Sequence, residues 1–317
     1  MARRKQRAKD NDFLLLTLPF LAVGILTFVF FSQRAKIQLP NSLADIPNTP
    51  LIVENKMSAA DIEAAKKIQG MRDDFAVLST KIKQESGVYG LYIKDENRKI
   101  DFKYNESGEF YAASLYKLPI AAAALKAIEK GKLTKDTKIT YLPYDYSSGT
   151  GEINTYNYGI ELRTEDVLTE LLKNSDNTAQ SMILRQLDFN YVEDTFSALV
   201  PDPKTSTYFR YNTSTAYEVG YVVDQLYFGK YLNSDSKVFL KDTLIGTSFE
   251  DRISAYLKPG LKFSHKIGSW PETWHDCGVV YGKYDQVVVC LMSTSAPYEN
   301  FLNVSKQVGE FISKYYE

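Results

Sequence analysis

Ala113-Ser114-Leu115-Tyr116-Lys117-Leu118-Pro119, running on into the alanine-rich Ile120 to Leu125, is the stretch on which the reading of this chain turns. Small residues precede the serine, Pro119 falls where a first helical turn has little use for an N–H, and Ala121 to Ala124 favour continuation. A helix is therefore predicted to begin at about Ser114. Three-residue spacing sets the Ser114 hydroxyl and the Lys117 amine on one helix face. A helix start also offers unpaired N–H groups and partial positive charge, which suit an oxyanion. An amine whose pKa is lowered by burial or by another cation can take a proton from serine. Ser-x-x-Lys by itself is common on solvated helix faces, so the weight falls on motifs further along the chain.

The 317 residues have room for a short targeting region and one large domain or two small ones. Hydrophobic content of 44% and charged content of 24% suit a globular chain with a buried core. A net charge of −1 gives no electrostatic case for nucleic acid as a partner. Two histidines, two cysteines and no Cys-x-x-Cys leave little from which to build a histidine- or thiolate-rich zinc site, and no cofactor is expected. The 23 tyrosines fit strands and surface, with sugar stacking an alternative that composition does not decide.

Phe13 to Phe31 carries no charge and nearly spans a hydrocarbon layer of about 30 Å. Five basic residues between Arg3 and Lys9 precede it, against Arg34 and Lys36 just after. The positive-inside rule then puts residues 1–12 in the cytoplasm, a single-pass anchor at 13–32 and the remainder outside. A cleaved signal peptide is the rival, but Ser32-Gln33-Arg34-Ala35 is a poor cleavage site. Residues 33–57, with Pro40, Pro47 and Pro50, read as a linker, and 58–317 as the folded domain, with 58–71 a possible helical spacer.

Within that domain Ser58 is expected to cap a helix reaching about Ser86. Val88 to Ile93 and Ile100 to Tyr104 predict a hairpin. Gly131 stops the Ser114 helix, Thr164 looks like the cap of another, and that one breaks at Lys173 to Asn177 before a further helix at Thr178. Thr213 or Ser214 is expected to cap a helix through Leu226. Strands are predicted at 261–268, 278–281 and 286–293, and a closing helix at about 299–315. Strands, a helical middle, then strands and a last helix make an α+β fold: an antiparallel sheet flanked by helices, beside an all-helical lobe.

Ser114-Leu115-Tyr116-Lys117, Ser175-Asp176-Asn177 and Lys266-Ile267-Gly268 occur in this order on a helix start, an inter-helix loop and a late strand. Ser-Asp-Asn alone has a purely local explanation, since these residues cap and turn. Together the three groups resemble the serine penicillin-recognising enzymes, and most of all the class A β-lactamases, over roughly residues 72–317. Glu129-Lys130-Gly131 and Asp251-Arg252-Ile253 add to the likeness. The resemblance implies that Ser114 is acylated, Lys117 is its base or proton relay, and Ser175 shuttles the proton to the leaving group. Asn177 would order Lys117 and the substrate amide, Lys266 would place an anionic group, and Gly268 and Ser269 would take part in substrate binding. The N–H groups of Ser114 and Ser269 would form an oxyanion hole. Substrates implied are cell-wall peptides, through carboxypeptidase-like or transpeptidase-like chemistry, or β-lactams.

Two departures from the resemblance carry consequences. The relatives have a glutamate in a Glu-x-x-Leu-Asn setting, whereas Val200 to Asn212 contains only Asp202 as an acid, which predicts an acyl-enzyme that persists. Ile267 stands where a hydroxyl residue normally binds a substrate carboxylate, and no arginine lies on 286–293 to compensate. A non-catalytic envelope-binding domain and an esterase on the same fold are the alternatives. His265 should face away from Lys266 and pack. His275 is expected near the site without a nameable partner; Trp270 and Trp274, flanking Pro271, read either as a rim for an apolar or sugar ligand or as loop packing. If Lys283-Tyr284 is a two-residue turn, Cys277 and Cys290 oppose each other; a disulfide and two small core residues are both open readings.

Overall fold

The computed structural model describes residues 58–316. Helix α1 (Ala59–Gln84) starts as its sequence asks: Ser58 Oγ accepts from the Asp61 N–H at 3.1 Å and Asp61 accepts from the Ser58 N–H at 3.0 Å. Residues 59–67 are exposed, and Met71, Phe75, Leu78 and Ile82 are the buried positions, so the helix joins the core only over its second half. There follow β1 (Val88–Asp95), β2 (Ile100–Tyr104), β3 (Glu109–Tyr111), a 3-10 turn at Ala113–Tyr116, and α2 (Lys117–Glu129). The middle of the chain holds β4 (Lys138–Thr140), β5 (Glu161–Arg163), α3 (Thr164–Lys173), α4 (Asn177–Gln186), α5 (Phe189–Leu199) and α6 (Tyr208–Tyr211). Then come β6 (Thr213–Thr215), α7 (Ala216–Tyr227), α8 (Ser234–Thr243), β7 (Lys262–Trp270), β8 (Thr273–Tyr281), β9 (Gln286–Thr294) and α9 (Tyr298–Tyr315).

Five strands pair antiparallel in the order β2-β1-β9-β8-β7. Side chains alternate across a strand, and here both faces are covered. Leu91, Ile93, Val287, Val289 and Leu291 pack with Phe75 of α1 and Phe301 and Val308 of α9. Tyr92, Val279, Val288 and Met292 face the other way and join the core of α2, α3, α4, α5 and α7. Burial on both sides explains the unbroken apolar run from Val287 to Met292. Helix α2 is apolar all round, with Leu118 to Leu125 all buried, and serves as the axis of the helical lobe. Its alanines let α3, α4 and α5 approach closely, which holds the start of α2 rigidly beside β7.

The architecture is the expected sheet-and-helix sandwich with a helical lobe. Several boundaries differ. Ser114 lies in the 3-10 turn and the α-helix begins at Lys117. Thr164 is the first helical residue rather than the cap, its hydroxyl donating to Thr137 O at 2.9 Å. Thr215, the last residue of β6, caps α7 by accepting from the Glu218 N–H, because the strand runs on past Thr213 and Ser214 and the helix starts only at Ala216. Helix α4 starts at Asn177, with Asp176 as its cap. Trp270 and Trp274 lie on strands rather than in a loop, since the hairpin between β7 and β8 is tight enough to pair Trp270 with Thr273. Cys277 and Cys290 are opposed in the β8–β9 register and joined by a disulfide. The apolar stretch 13–31, its basic flank and the 33–57 linker lie outside the described residues. Among the described residues no helix is long and apolar enough to cross a membrane.

Candidate active site

A cleft of about 520 Å³ opens where the start of α2, the loop 147–150, the start of α4 and the end of β7 meet. Ser114, Lys117, Ser175, Asn177 and Ser269 all line it. The three motifs, far apart in sequence, thus converge at one place. Lys266 and Gly268 do not line it; both stand just behind its wall.

Local geometry brings the first two motifs together under strain. Ala113 and Ser175 both take left-handed backbone angles (φ 50° and 55°), a conformation that costs about 1–3 kcal/mol for a non-glycine residue. The fold holds it with hydrogen bonds. Asp176, fully buried, accepts from the N–H groups of Glu152 (2.8 Å), Ile153 (2.9 Å) and Ala179 (2.7 Å). It pins the 147–155 loop to α4 so tightly that a Cβ on Gly151 (φ 106°) would lie 2.1 Å from its carboxylate. Thr150 donates to Ser175 O at 2.6 Å, and Asn177 donates to Ser148 O at 2.7 Å. The aspartate is therefore the structural member of Ser-Asp-Asn, while its two neighbours face the cleft.

Lys117 is almost wholly buried. Its Nζ donates to Asn177 Oδ1 at 2.7 Å, to Ser175 Oγ at 3.3 Å and to Ser175 O. Burial lowers its pKa to about 8, and the Asp176 carboxylate opposes that shift. An amine so placed is neutral in a useful fraction near neutral pH, and it sits one helical turn from the Ser114 hydroxyl, which is partly exposed to the cleft.

Lys266 is fully buried; its Nζ donates to Ile267 O at 3.3 Å. Burial first, then Lys117 and Arg252, push its pKa well below the ordinary value, with Asp276 opposing. Gly268 is forced by packing, since a Cβ there would lie 2.8 Å from Ala112 O and 2.7 Å from the His275 ring. That contact seats the Ser114 turn against β7 and brings Ser114 and Ser269 to the same side of the cleft. His275, predicted without a partner, is buried on β8; its Nε2 meets Tyr111 O at 2.8 Å and its Nδ1 accepts from the Ser293 N–H at 3.2 Å. Burial brings its pKa down to about 4, so it stays neutral.

Sequence reasoning missed Arg252. It lies in the segment before β7, is buried, and donates to Gly268 O at 3.0 Å, to His275 O, and to Ser269 Oγ at 2.6 Å. Trp274, Tyr298 and Phe301 surround its guanidinium. The Ser269 hydroxyl accepts from this cation and keeps its own proton to donate. The Asp251-Arg252-Ile253 string was the available signal, but a contact between Arg252 and Ser269 is invisible to spacing. The segment is clasped in turn by His265, whose Nδ1 meets Asp276 Oδ1 at 2.5 Å and Nε2 meets Glu250 Oε1 at 3.3 Å. Asp276 Oδ2 also accepts from the Ile253 N–H at 3.1 Å. His265 indeed packs away from the cleft, stacked on Phe263.

Tyr208 stands four residues before Asn212, the spacing of the glutamate and asparagine in the relatives' Glu-x-x-Leu-Asn setting. Its ring is fully buried against Tyr116 and Phe196. Asn212 lines the cleft, donating to Ala113 O at 3.2 Å, and its Oδ1 is buried without a partner.

Fold and cleft together have the arrangement that the three sequence motifs lead one to expect. Comparison with known proteins makes the assignment specific: residues 71–316 match the beta-lactamase enzyme family, and the chain belongs to it. Over 106 residues it is 30% identical to the beta-lactamase VEB-1 of Pseudomonas aeruginosa, an alignment spanning 33% of this chain and 36% of that enzyme. Among solved structures it is similar to PBP-A, with a TM-score of 0.70 at 20% identity over 76% of this chain and 95% of that one. It is also similar to a beta-lactamase from Sphaerobacter thermophilus, with a TM-score of 0.68 at 20% identity over 77% and 97% of the two chains. A third similar structure is a point mutant of PBP-A as an acyl-enzyme complex with penicillin-G, with a TM-score of 0.68 at 21% identity over 77% and 97%.

Proposed function

We propose that this protein is a serine acyl-transfer enzyme that forms a long-lived acyl-enzyme on Ser114 with cell-wall peptide or β-lactam donors. The observation that carries the reading is the buried, pKa-lowered Lys117, bonded to Ser175 and Asn177 on the floor of a cleft onto which Ser114 opens. Neutral Lys117 takes the Ser114 proton as Oγ bonds to the donor's carbonyl carbon. The developing oxyanion faces the N–H groups of Ser114 and Ser269, an arrangement worth about 3 kcal/mol per donor in comparable sites. Ser175, within reach of Lys117, passes the proton to the leaving nitrogen as the C–N bond breaks.

Deacylation needs a base for water. The 200–212 segment offers a buried tyrosine where the relatives carry a glutamate, and its one acid, Asp202, is occupied with the Lys204 N–H and the Thr205 hydroxyl. Turnover is slow on this reading. Ile267 and the burial of Lys266 favour a second reading, a binding domain that has lost turnover. Mass spectrometry of the protein after incubation with activated acyl donors separates the two. A covalent adduct on Ser114 supports the enzyme, and its absence with every donor supports the binding domain.

The 13–32 stretch is proposed as an uncleaved anchor that holds the domain outside the cytoplasm. The disulfide is compatible with an oxidising compartment. Retention in the membrane pellet after alkaline carbonate extraction is the expected result; release into the supernatant contradicts it.

A further inference from the structure

The two walls of the cleft differ in chemistry. The loop 147–150 and the start of α4 present hydroxyls and amides, whereas the β7 side presents Tyr111, Phe249, Ile267 and Trp270 around a single serine hydroxyl, that of Ser269. Tyr111 and Trp270 are 42% and 60% exposed, with ring centroids 5.6 Å apart in an edge-to-face pair. Large aromatic rings held in place yet open to solvent at the mouth of a cleft form a shelf for a planar or apolar group. Cations are arranged the opposite way. Of the charged side chains near the β7 wall, Lys266 is buried behind it and the Arg252 guanidinium is spent on Gly268 O, His275 O and Ser269 Oγ. Among the described residues lining the cleft, Lys117 is the one cation, and its donors are taken by Ser175 and Asn177. A carboxylate brought against β7 would lose water, meet the Ile267 side chain, and find there one serine hydroxyl, Ser269, with no free cation beside it among the described residues lining the cleft.

Resting on the acyl-enzyme reading above, we infer that the β7 wall takes an uncharged apolar or aromatic group where carboxylate-binding relatives place an anion. The preferred donors are then esters, thioesters or amides with no free carboxylate beside the scissile bond. Ile267, Trp270 and Tyr111 are one feature: the residue that removes the anion's partner and the two that replace it with a hydrophobic shelf. In the acylation step the Ser114 Oγ–acyl bond forms and the donor's C–S, C–O or C–N bond breaks. The serine proton leaves with the departing thiol, alcohol or amine.

The test compares two acetylglycyl thioesters of mercaptoacetic acid that differ only at the leaving end, one bearing the free carboxylate and the other its benzyl ester. Acylation of Ser114 in the full chain is followed by mass spectrometry. The benzyl ester should acylate at least about tenfold faster, and Trp270→Ala should slow it about fivefold while leaving the free acid unchanged, as expected for loss of one aromatic contact. Ile267→Thr should speed the free acid and narrow the preference. Equal rates for the two donors, or a Trp270→Ala loss shared by both, overturns the inference while leaving the acyl-enzyme intact. No acylation by either donor overturns both readings.

Discussion

Lys117 owes its chemistry to where it is buried. A lysine held at a pKa of about 8 gains neutral amine as pH rises, so acylation of Ser114 should climb from about pH 6 and level off above about pH 8.5. A stopped-flow pH profile checks this, and a flat profile assigns proton removal to another group. The same shift destabilises the fold, because its pKa is below the unfolded value. That cost is absent above about pH 10.5 and fully present below about pH 8. Asp176 works chiefly as support: Asp176→Ala leaves three N–H groups unpaired, two of them in buried hydrogen bonds, and should lower stability by on the order of 3 kcal/mol in denaturant melts. Loss of activity without loss of stability would give this residue a role in chemistry instead. At this scale Ser114, Lys117, Ser175 and Asn177 were legible because each motif is local: three or four residues whose spacing fixes their mutual geometry. Arg252 and the burial of Lys266 were not, since both depend on how the segment before β7 folds back over the sheet.

The element that decides the β7 wall is that segment, from Thr247 to Ile253. His265 fastens it, with Asp276 on one ring nitrogen and Glu250 on the other. Burial lowers the His265 pKa, but the two carboxylates, Asp276 foremost, outweigh it and raise the pKa to about 9. A raised histidine stabilises the fold fully below the unfolded pKa near 6.5, and that contribution is lost as pH rises through about 9. In thermal melts the stability margin of the wild type over His265→Gln should therefore shrink from about pH 6.5 to about pH 9; a margin that does not change with pH contradicts the clasp. Prediction from sequence was strong for helices with periodic apolar faces and for the hairpin of β1 and β2. It was weaker at caps, where Thr213 or Ser214 was expected and β6 instead runs on to Thr215, which takes the cap. It failed at Trp270 to Trp274, because Pro271 reads as a strand breaker, yet Glu272, at φ 54°, sits in a turn tight enough to keep both strands going.

For the whole molecule, the sheet buried on both faces is the frame, and the Cys277–Cys290 bridge ties two of its strands. Replacing both cysteines with serine should cost about 3 kcal/mol, the scale for a loop of this length, measured by denaturant unfolding with and without reductant. Insensitivity to both changes would mean that packing alone holds β8 to β9. The sandwich was legible from the order of elements; the bridge was not decided there, because opposition depended on a register that the loop after β8 alone could set. What the frame does for function is bring three short motifs to one cleft, and the direct test is the fate of an acyl group on Ser114. Intact mass followed over time after mixing with an activated thioester should show one acyl adduct per chain, mapped to Ser114, absent in Ser114→Ala and persisting for minutes. An adduct on another residue, or one that turns over within seconds, contradicts the account.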